Sequence, residues 1–419
     1  MSTGGAVQQH GNPGTAAKVL AVLPYLPLPA TSGGRLRTLG LLRQLDAALP
    51  ITVLALNRRP GMATRALAQT LRESLRGPLH LAESPWLPSA VVSEASDVLL
   101  GRPLRYSPYR RAPLSTALEA LLRRERFDIV HFDHLHTAQL APLVRRLAPE
   151  TTIVIDAHNV ESVVARRMSG ADGSLFRKLV AGVQTGRIER LERDVLGQAH
   201  LVLTCSASDA AGLLKLGARE TLVVPNGISV DTAAIEEAAR TDVVFVASCD
   251  WWPNADAARR LVLDIWPRCA SALNGSRLAL VGRASDKLGL LASPTIQLLG
   301  EVERVEPHLA RAWATAVPLR AGSGTRIKII EAWAAGVPVV ASKVAAEGLP
   351  LIDGENGLFA ESAEEFAAAL VRIHESPLLA GRLRKEGLRT ARAFQYPEIG
   401  AALVRHYRSL CPLAASQGT

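Results

Sequence analysis

Residues 315–342 read TAVPLRAGSGTRIKIIEAWAAGVPVVAS. An extended run, TAVPLR, gives way to AGSGT and then to a helical segment in which Ile327, Ile330 and Trp333 or Ala334 share one face. Gly336 and Pro338 end that helix, and VPVVAS starts a second extended run. Strand, glycine turn, helix and strand in this order make a βαβ unit, which places its two strands in one parallel sheet.

The pattern repeats on both sides. KVLAVLPY, PITVLAL, DIVHFDH, TTIVIDAH, HLVLTCS and TLVVPNG read as strands, followed by DVVFVAS, RLALVG, IQLLG, TAVPLR, VPVVAS and GLFA. Amphipathic stretches at 35–48, 115–126, 174–198, 255–272 and 362–376 lie between them. Twelve strands exceed one doubly wound sheet, so the reading is α/β with two Rossmann-like parallel-sheet domains. The series pauses in VVPNGISVDTAAIEEAAR and restarts at Thr241, which sets the boundary at 235/236. Residues 1–17 are polar and Gly-rich and are expected to form a loose tail, and the chain closes on two helices split near Pro397.

Composition narrows the classes. The chain has 419 residues, 48% of them hydrophobic, enough for two cores. Four cysteines without metal-like spacing suggest neither a zinc site nor a disulfide framework and point to a cytoplasmic setting. The net charge of +9 favours acidic partners. Aromatics are only 4% and the arginines are dispersed, so no nucleic-acid partner is expected. The basic stretches RYSPYRRAP (105–113) and ARRMSG…FRKLV (165–180) allow peripheral contact with an anionic membrane.

In open parallel sheets ligands bind beyond the carboxyl ends of the strands. After the first strand, Gly33 and Gly34 open a helix whose free amides suit an anion, and Arg35 or Arg37 adds charge or faces water. DIVHFDHLH brings His131, Asp133, His134 and His136 to a cleft edge, without a metal-binding motif. DAHNVE puts His158 at a strand tip, where an imidazole can donate to a hydroxyl or phosphate. Gly282 and Arg283 end one later strand. Gly300 and Val302 follow the next, where a nucleotide base can meet the backbone.

The loop Gly322, Ser323, Gly324, Thr325 is neither a Walker loop nor G-x-G-x-x-G, because Ile327 stands at the third glycine position. Arg326 and Lys328 oppose the dipole of the helix they start. An anion between them and the loop amides removes that conflict, and Glu331 stands within reach of the same ligand.

Taken in order, SGG, DIVHFDH, DAHNVE, VVPNGI, FVASCDWWPNADA, ALVGR, LLGEV and GSGTRIKIIEAWAAGVPVVAS…EGL resemble the retaining glycosyltransferases of family four, over residues 18–395. The resemblance implies a GT-B fold, two domains facing across a cleft and a C-terminal crossover helix. It implies acceptor binding by 18–235, nucleotide-sugar binding by 236–395, and a helix at 396–412 packing back on the first domain. It implies metal-independent hexosyl transfer from a nucleotide diphosphate sugar to a glycan, lipid-linked or small-molecule acceptor in cell-envelope glycoconjugate synthesis, with no cofactor besides the donor. Glu331 corresponds to the second glutamate of the family's E-x7-E motif, on the donor ribose. Gly33 and Gly34 match the glycine loop near the diphosphate, and His158 matches a histidine near the transferred sugar.

Two departures stand out. The first glutamate of that motif falls on Ser323, and the usual cation pair is missing from SCDWWPNAD, leaving Arg326 and Lys328 as the replacements. The chain thus resembles a subgroup with a GSGTRIK loop in place of the acidic start. Ser323 motivates an alternative, a non-catalytic nucleotide-sugar-binding subunit. A nucleotide-sugar epimerase is a third class on the same fold.

Overall fold

The structure, a computed structural model, describes residues 17–411 except 59, 85–99, 104–105, 107–108, 110–111, 170–174, 229–239, 291 and 323–325. Seven parallel strands form the first sheet: β1 (Val19–Leu23), β2 (Ile51–Asn57), β3 (Leu79–Glu83), β4 (Ile129–Asp133), β5 (Thr152–Ala157), β6 (Leu201–Thr204) and β7 (Thr221–Val223). Their order is β3-β2-β1-β4-β5-β6-β7. Six more, β8 (Asp242–Val246), β9 (Arg277–Val281), β10 (Ile296–Gly300), β11 (Ala312–Val317), β12 (Val339–Ala341) and β13 (Leu358–Phe359), form the second in the order β10-β9-β8-β11-β12-β13. The chain therefore has the two-sheet α/β architecture expected of it. Among the described residues thirteen strands stand where twelve were read. The extra one, β3, is a short sheet-edge strand whose half-exposed His80 and Leu81 break the buried-strand pattern.

Alternate residues feed opposite faces of the first sheet. Val19, Ala21 and Leu23 join one apolar core, while Leu20 and Val22 join another. Such strands must be apolar throughout, because helices cover both sides. The strand order reverses between β1 and β4 in the first sheet and between β8 and β11 in the second. Crevices open at such switch points, so the candidate site gathers around the ends of these four strands and of β5, β9 and β10 beside them.

Helix α1 (Gly33–Ala48) follows β1, α2 (Glu161–Ser169) follows β5, and the long α3 (Leu175–Leu196) precedes β6. In the second domain α4 (Trp252–Arg260) follows β8, and α5 (Ile327–Ala334) joins β11 to β12. After α6 (Pro377–Ala391) the chain crosses back. Ile228 donates its N–H to the Phe394 carbonyl (2.8 Å) and receives that of Tyr396 (3.3 Å).

The last helix, α7 (Tyr396–Leu410), buries Tyr396, Ile399, Leu403, Val404 and Tyr407, a single helical stripe, against the first domain. Close approach depends on glycine. A Cβ on Gly40 would lie 2.0 Å from Tyr396 Cζ, and one on Gly400 2.4 Å from Gln44 Cγ. Among the described residues no helix is long and apolar enough to cross a membrane.

Candidate active site

The first-domain half of the site is a buried charge cluster beneath the tips of β1, β4 and β5. Arg37 lies on the same side of α1 as the apolar Leu41 and Leu45, and its side chain is 1% exposed. It grips Asp156 with Nε (3.1 and 3.0 Å) and Nη2 (2.6 Å), while Nη1 donates to the Val224 carbonyl (2.7 Å) and to Asn226 Oδ1 (3.2 Å). Arg37 is thus committed to structure: it neither adds charge at the cleft nor faces water, which corrects both expectations for it. The VVPNG turn, which has little meaning as sequence, completes its hydrogen-bond shell.

His158 stands above this pair. Its Nε2 donates to Asp133 Oδ1 at 2.9 Å and lies 3.4 Å from Asp156 Oδ2. Burial opposes the charged ring, but the two carboxylates overcome it and raise its pKa to about 9. At neutral pH His158 is therefore an imidazolium, a donor and not a base. Asp133 receives the Thr38 hydroxyl on its other oxygen (2.9 Å), and burial, which would raise it, is outweighed by the His158 cation.

His134 stacks on His158 with ring centroids 3.6 Å apart, and its Nε2 is 2.7 Å from the Tyr25 hydroxyl. Burial and the neighbouring imidazolium hold His134 neutral. Its φ of 64° is uncommon for a residue with a side chain. A Cβ on Gly34 would stand 3.0 Å from Tyr25 Oη and 3.5 Å from His158 Nδ1, so the glycine leaves that nitrogen uncovered at the start of α1.

Asp133, which the sequence places as cleft lining, is instead 1% exposed and holds the histidine. Ligand atoms of Asp133, His134 and His158, and those of His131, Asp133 and Asp156, lie within 4.8 Å of one another. A cation there would compete with the His158 proton and with Arg37.

The second-domain half surrounds α5. Arg326 caps this helix, is 5% exposed, and burial lowers it only to about 10, so it stays charged. A Cβ on Gly322 would meet Arg326 Nη2 at 2.7 Å and Trp251 Cη2 at 3.1 Å. Lys328 Nζ donates to Asn254 Oδ1 (2.7 Å) and lies 4.6 Å from the Phe245 ring centre. Burial and Arg326 push it down to about 7. Glu331, one turn further, is pushed up to about 7 by burial and Glu306.

The halves meet at the helix starts, where a Cβ on Gly33 would stand 3.5 Å from Ile327 Cδ1. Arg283 pairs with Asp250 (3.1 Å) and reaches Thr31 Oγ1 just before α1 (3.4 Å). Gly300 adopts φ 68°, donates its N–H to Ser285 Oγ (3.0 Å) and accepts that of Gly282 (2.8 Å). It therefore shapes the β10 tip, while the half-buried Val302 follows it. Ser323, Gly324 and Thr325 lie outside the described residues, as does most of RYSPYRRAP. Of the arginines in ARRMSG, Arg166 pairs with Glu189 and Arg167 with Glu347.

Both domains have relatives among known proteins. Residues 32–232 match the model for Glycosyltransferase Family 4, and residues 240–376 match that for Glycosyl transferases group 1. The chain is a family 4 glycosyltransferase.

A phosphatidyl-myo-inositol mannosyltransferase of Mycobacterium leprae is 24% identical to this glycosyltransferase over 348 residues, 77% of this chain and 85% of the relative. Among solved structures, sucrose-phosphate synthase from Thermosynechococcus elongatus superposes with a TM-score of 0.69 at 18% identity, covering 94% of this chain and 99% of that one. Anabaena HepE in complex with UDP and glucose gives 0.67 at 17% identity, covering 94% and 100%. These structures share the GT-B fold, and at such identity the likeness concerns fold alone.

Sequence reading of the glycosyltransferase gave Arg37 the wrong setting and did not single out Tyr25, Arg167 or Glu347. Arg37 had left a signal, a cation on the apolar side of α1 paired with an acid closing an apolar strand. Arg167 and Glu347 are 180 residues apart and left none.

Proposed function

We propose that this glycosyltransferase moves a hexose, with retention and without a metal, from a nucleotide diphosphate sugar to a hydroxyl of a glycan or lipid-linked acceptor in cell-envelope glycoconjugate synthesis. The observation that carries the reading is the meeting of the α1 and α5 N-termini, with Gly33 against Ile327 and the cations Arg326, Lys328 and Arg283 around them. Two converging helix starts and three cations match a diphosphate. The solved HepE complexes with UDP and UDP-glucose and the mannosyltransferase relatives support the donor class.

In this reading the diphosphate lies between the helix starts, Glu331 accepts from the ribose hydroxyls, and the base meets the backbone beyond β10 near Val302. The sugar points toward His158. Breaking the anomeric C–O bond moves charge onto the departing phosphate, which Arg326 and Lys328 stabilise. His158, already protonated, donates to a sugar oxygen and cannot take the acceptor's proton. The phosphate oxygen released in the same step is the base that the reaction itself supplies. With a lipid-linked acceptor, turnover would take place at the inner face of the membrane.

Incubation with a panel of radiolabelled nucleotide sugars and candidate acceptors tests the proposal. Nucleoside diphosphate release with sugar transfer is the expected result. Isomerised donor points to the epimerase, and binding without turnover to the non-catalytic subunit. Unchanged turnover in both Arg326→Ala and Lys328→Ala refutes the phosphate assignment.

A further inference from the structure

An ion pair bridges the two domains beside the glycine loop. Arg167, on α2, donates from Nη1 to Glu347 Oε2 (2.6 Å) and from Nη2 to Glu347 Oε1 (3.0 Å), a two-pronged pair. The same Nη1 also donates to the Gly322 carbonyl. A single guanidinium thus ties a carboxylate to the backbone of the glycine loop.

The position of that carboxylate follows from strand order. A nucleotide sugar is extended, and in the scheme above its base lies by β10 and its ribose and diphosphate at α5, which begins after β11. The next strand beyond β11 is β12. Its tip leads through Ser342 and a single helical turn, Lys343–Ala346, to Glu347. The last part of the donor, the sugar, therefore falls toward Glu347. Arg167 approaches it from the connection that also carries His158, nine residues earlier.

The pair is not sealed, since the two side chains are 30% and 34% exposed. An ionised carboxylate offers about four lone-pair sites, and Arg167 uses two, so sugar hydroxyls can donate to the others.

We propose that Glu347 is the carboxylate that recognises hydroxyls of the transferred sugar, with Arg167 as the positioning residue that orients it from the facing domain. This rests on the donor reading above. The full-length wild type is first titrated calorimetrically with UDP-glucose, GDP-mannose, ADP-glucose and dTDP-glucose, and with the free diphosphates. Binding to none of these overturns the donor reading and this inference together.

With the bound pair identified, Glu347→Gln is expected to weaken the nucleotide sugar about tenfold, the loss of one charge-assisted hydrogen bond, and to leave the free diphosphate unchanged. Arg167→Met keeps the carboxylate and loses less. Equal weakening of sugar nucleotide and diphosphate in both variants marks a domain latch and overturns the assignment. Unchanged nucleotide-sugar affinity in Glu347→Gln overturns it as well.

Discussion

Donor binding is expected to exchange protons with solvent, and the direction should reverse with pH. Lys328 and Glu331 lie one turn apart on α5, and both titrate near pH 7, the lysine pushed down and the glutamate pushed up by burial. For Lys328 the displacement from 10.5 corresponds to roughly 5 kcal/mol of penalty on the cation. A diphosphate beside Lys328 relieves that penalty and favours the protonated amine. Ribose hydroxyls donating to Glu331 favour the ionised carboxylate. Binding therefore draws a proton onto Lys328 and drives one off Glu331.

At pH 8 free Lys328 is about one-tenth protonated and takes up about 0.9 proton, while Glu331 releases only about 0.1. The net uptake is then about 0.8 proton. At pH 6 the fractions exchange, giving a net release of about 0.8, with zero crossed near pH 7. A nucleotide sugar is a diphosphate diester and brings no phosphate proton of its own into this range.

Isothermal titration in buffers of different ionisation enthalpy yields the proton number as a slope. Lys328→Met should retain only release and Glu331→Gln only uptake. A wild-type slope that stays within about 0.2 of one value from pH 6 to 8 refutes the reasoning.

Three further outcomes test the scaffold. Arg37→Met leaves the buried Asp156 carboxylate with His158 as its one remaining charged partner among the described residues and should cost about 3 kcal/mol in denaturant unfolding; a loss below about 1 kcal/mol would contradict the buried pair. Gly40→Ala drives a methyl into the Tyr396 ring, so a lower Tm and faster proteolysis at 392–395 are expected as α7 lifts away; wild-type behaviour would show that α7 docks without this notch. The His158 pKa is raised by folding, from about 6.5 to about 9, so the stabilisation from its proton is complete below about pH 6.5 and fades as pH rises through 9. The stability difference between wild type and His158→Gln should shrink by on the order of 3 kcal/mol between pH 6 and 10, and a pH-independent difference would rule out the carboxylate clamp.

Much of the fold is local chemistry, and so it was legible. Strands buried on both faces must be apolar, and helices between them must be amphipathic, so VLAVL, TIVIDA and VPVVAS announce themselves by composition. The edge strand β3, half exposed, did not. Glycine punctuation at 33, 34 and 322 marked the strand-to-helix turns, because ligand approach and tight turns both exclude side chains there. His158, Arg326, Lys328 and Glu331 could be named because each sits within a few residues of such a turn.

Charge state and partnership were not local. Whether Arg37 faces water or Asp156 depends on an acid 119 residues away and on the Val224 carbonyl, 187 residues away. His158 is a cation because Asp133 and Asp156 come from separate strands, and parallel pairing sets those strands in register, Asp133 opposite Asp156. Arg167 and Glu347 meet only because two domains close on one another. The sequence alone determined the two parallel sheets, the glycine turns at their tips and the residue types available there, since strand and helix periodicity act over a few residues. The tertiary structure decided which of those residues are charged, which are consumed in the core and which face the cleft, because electrostatics and burial act through space between segments distant in the chain.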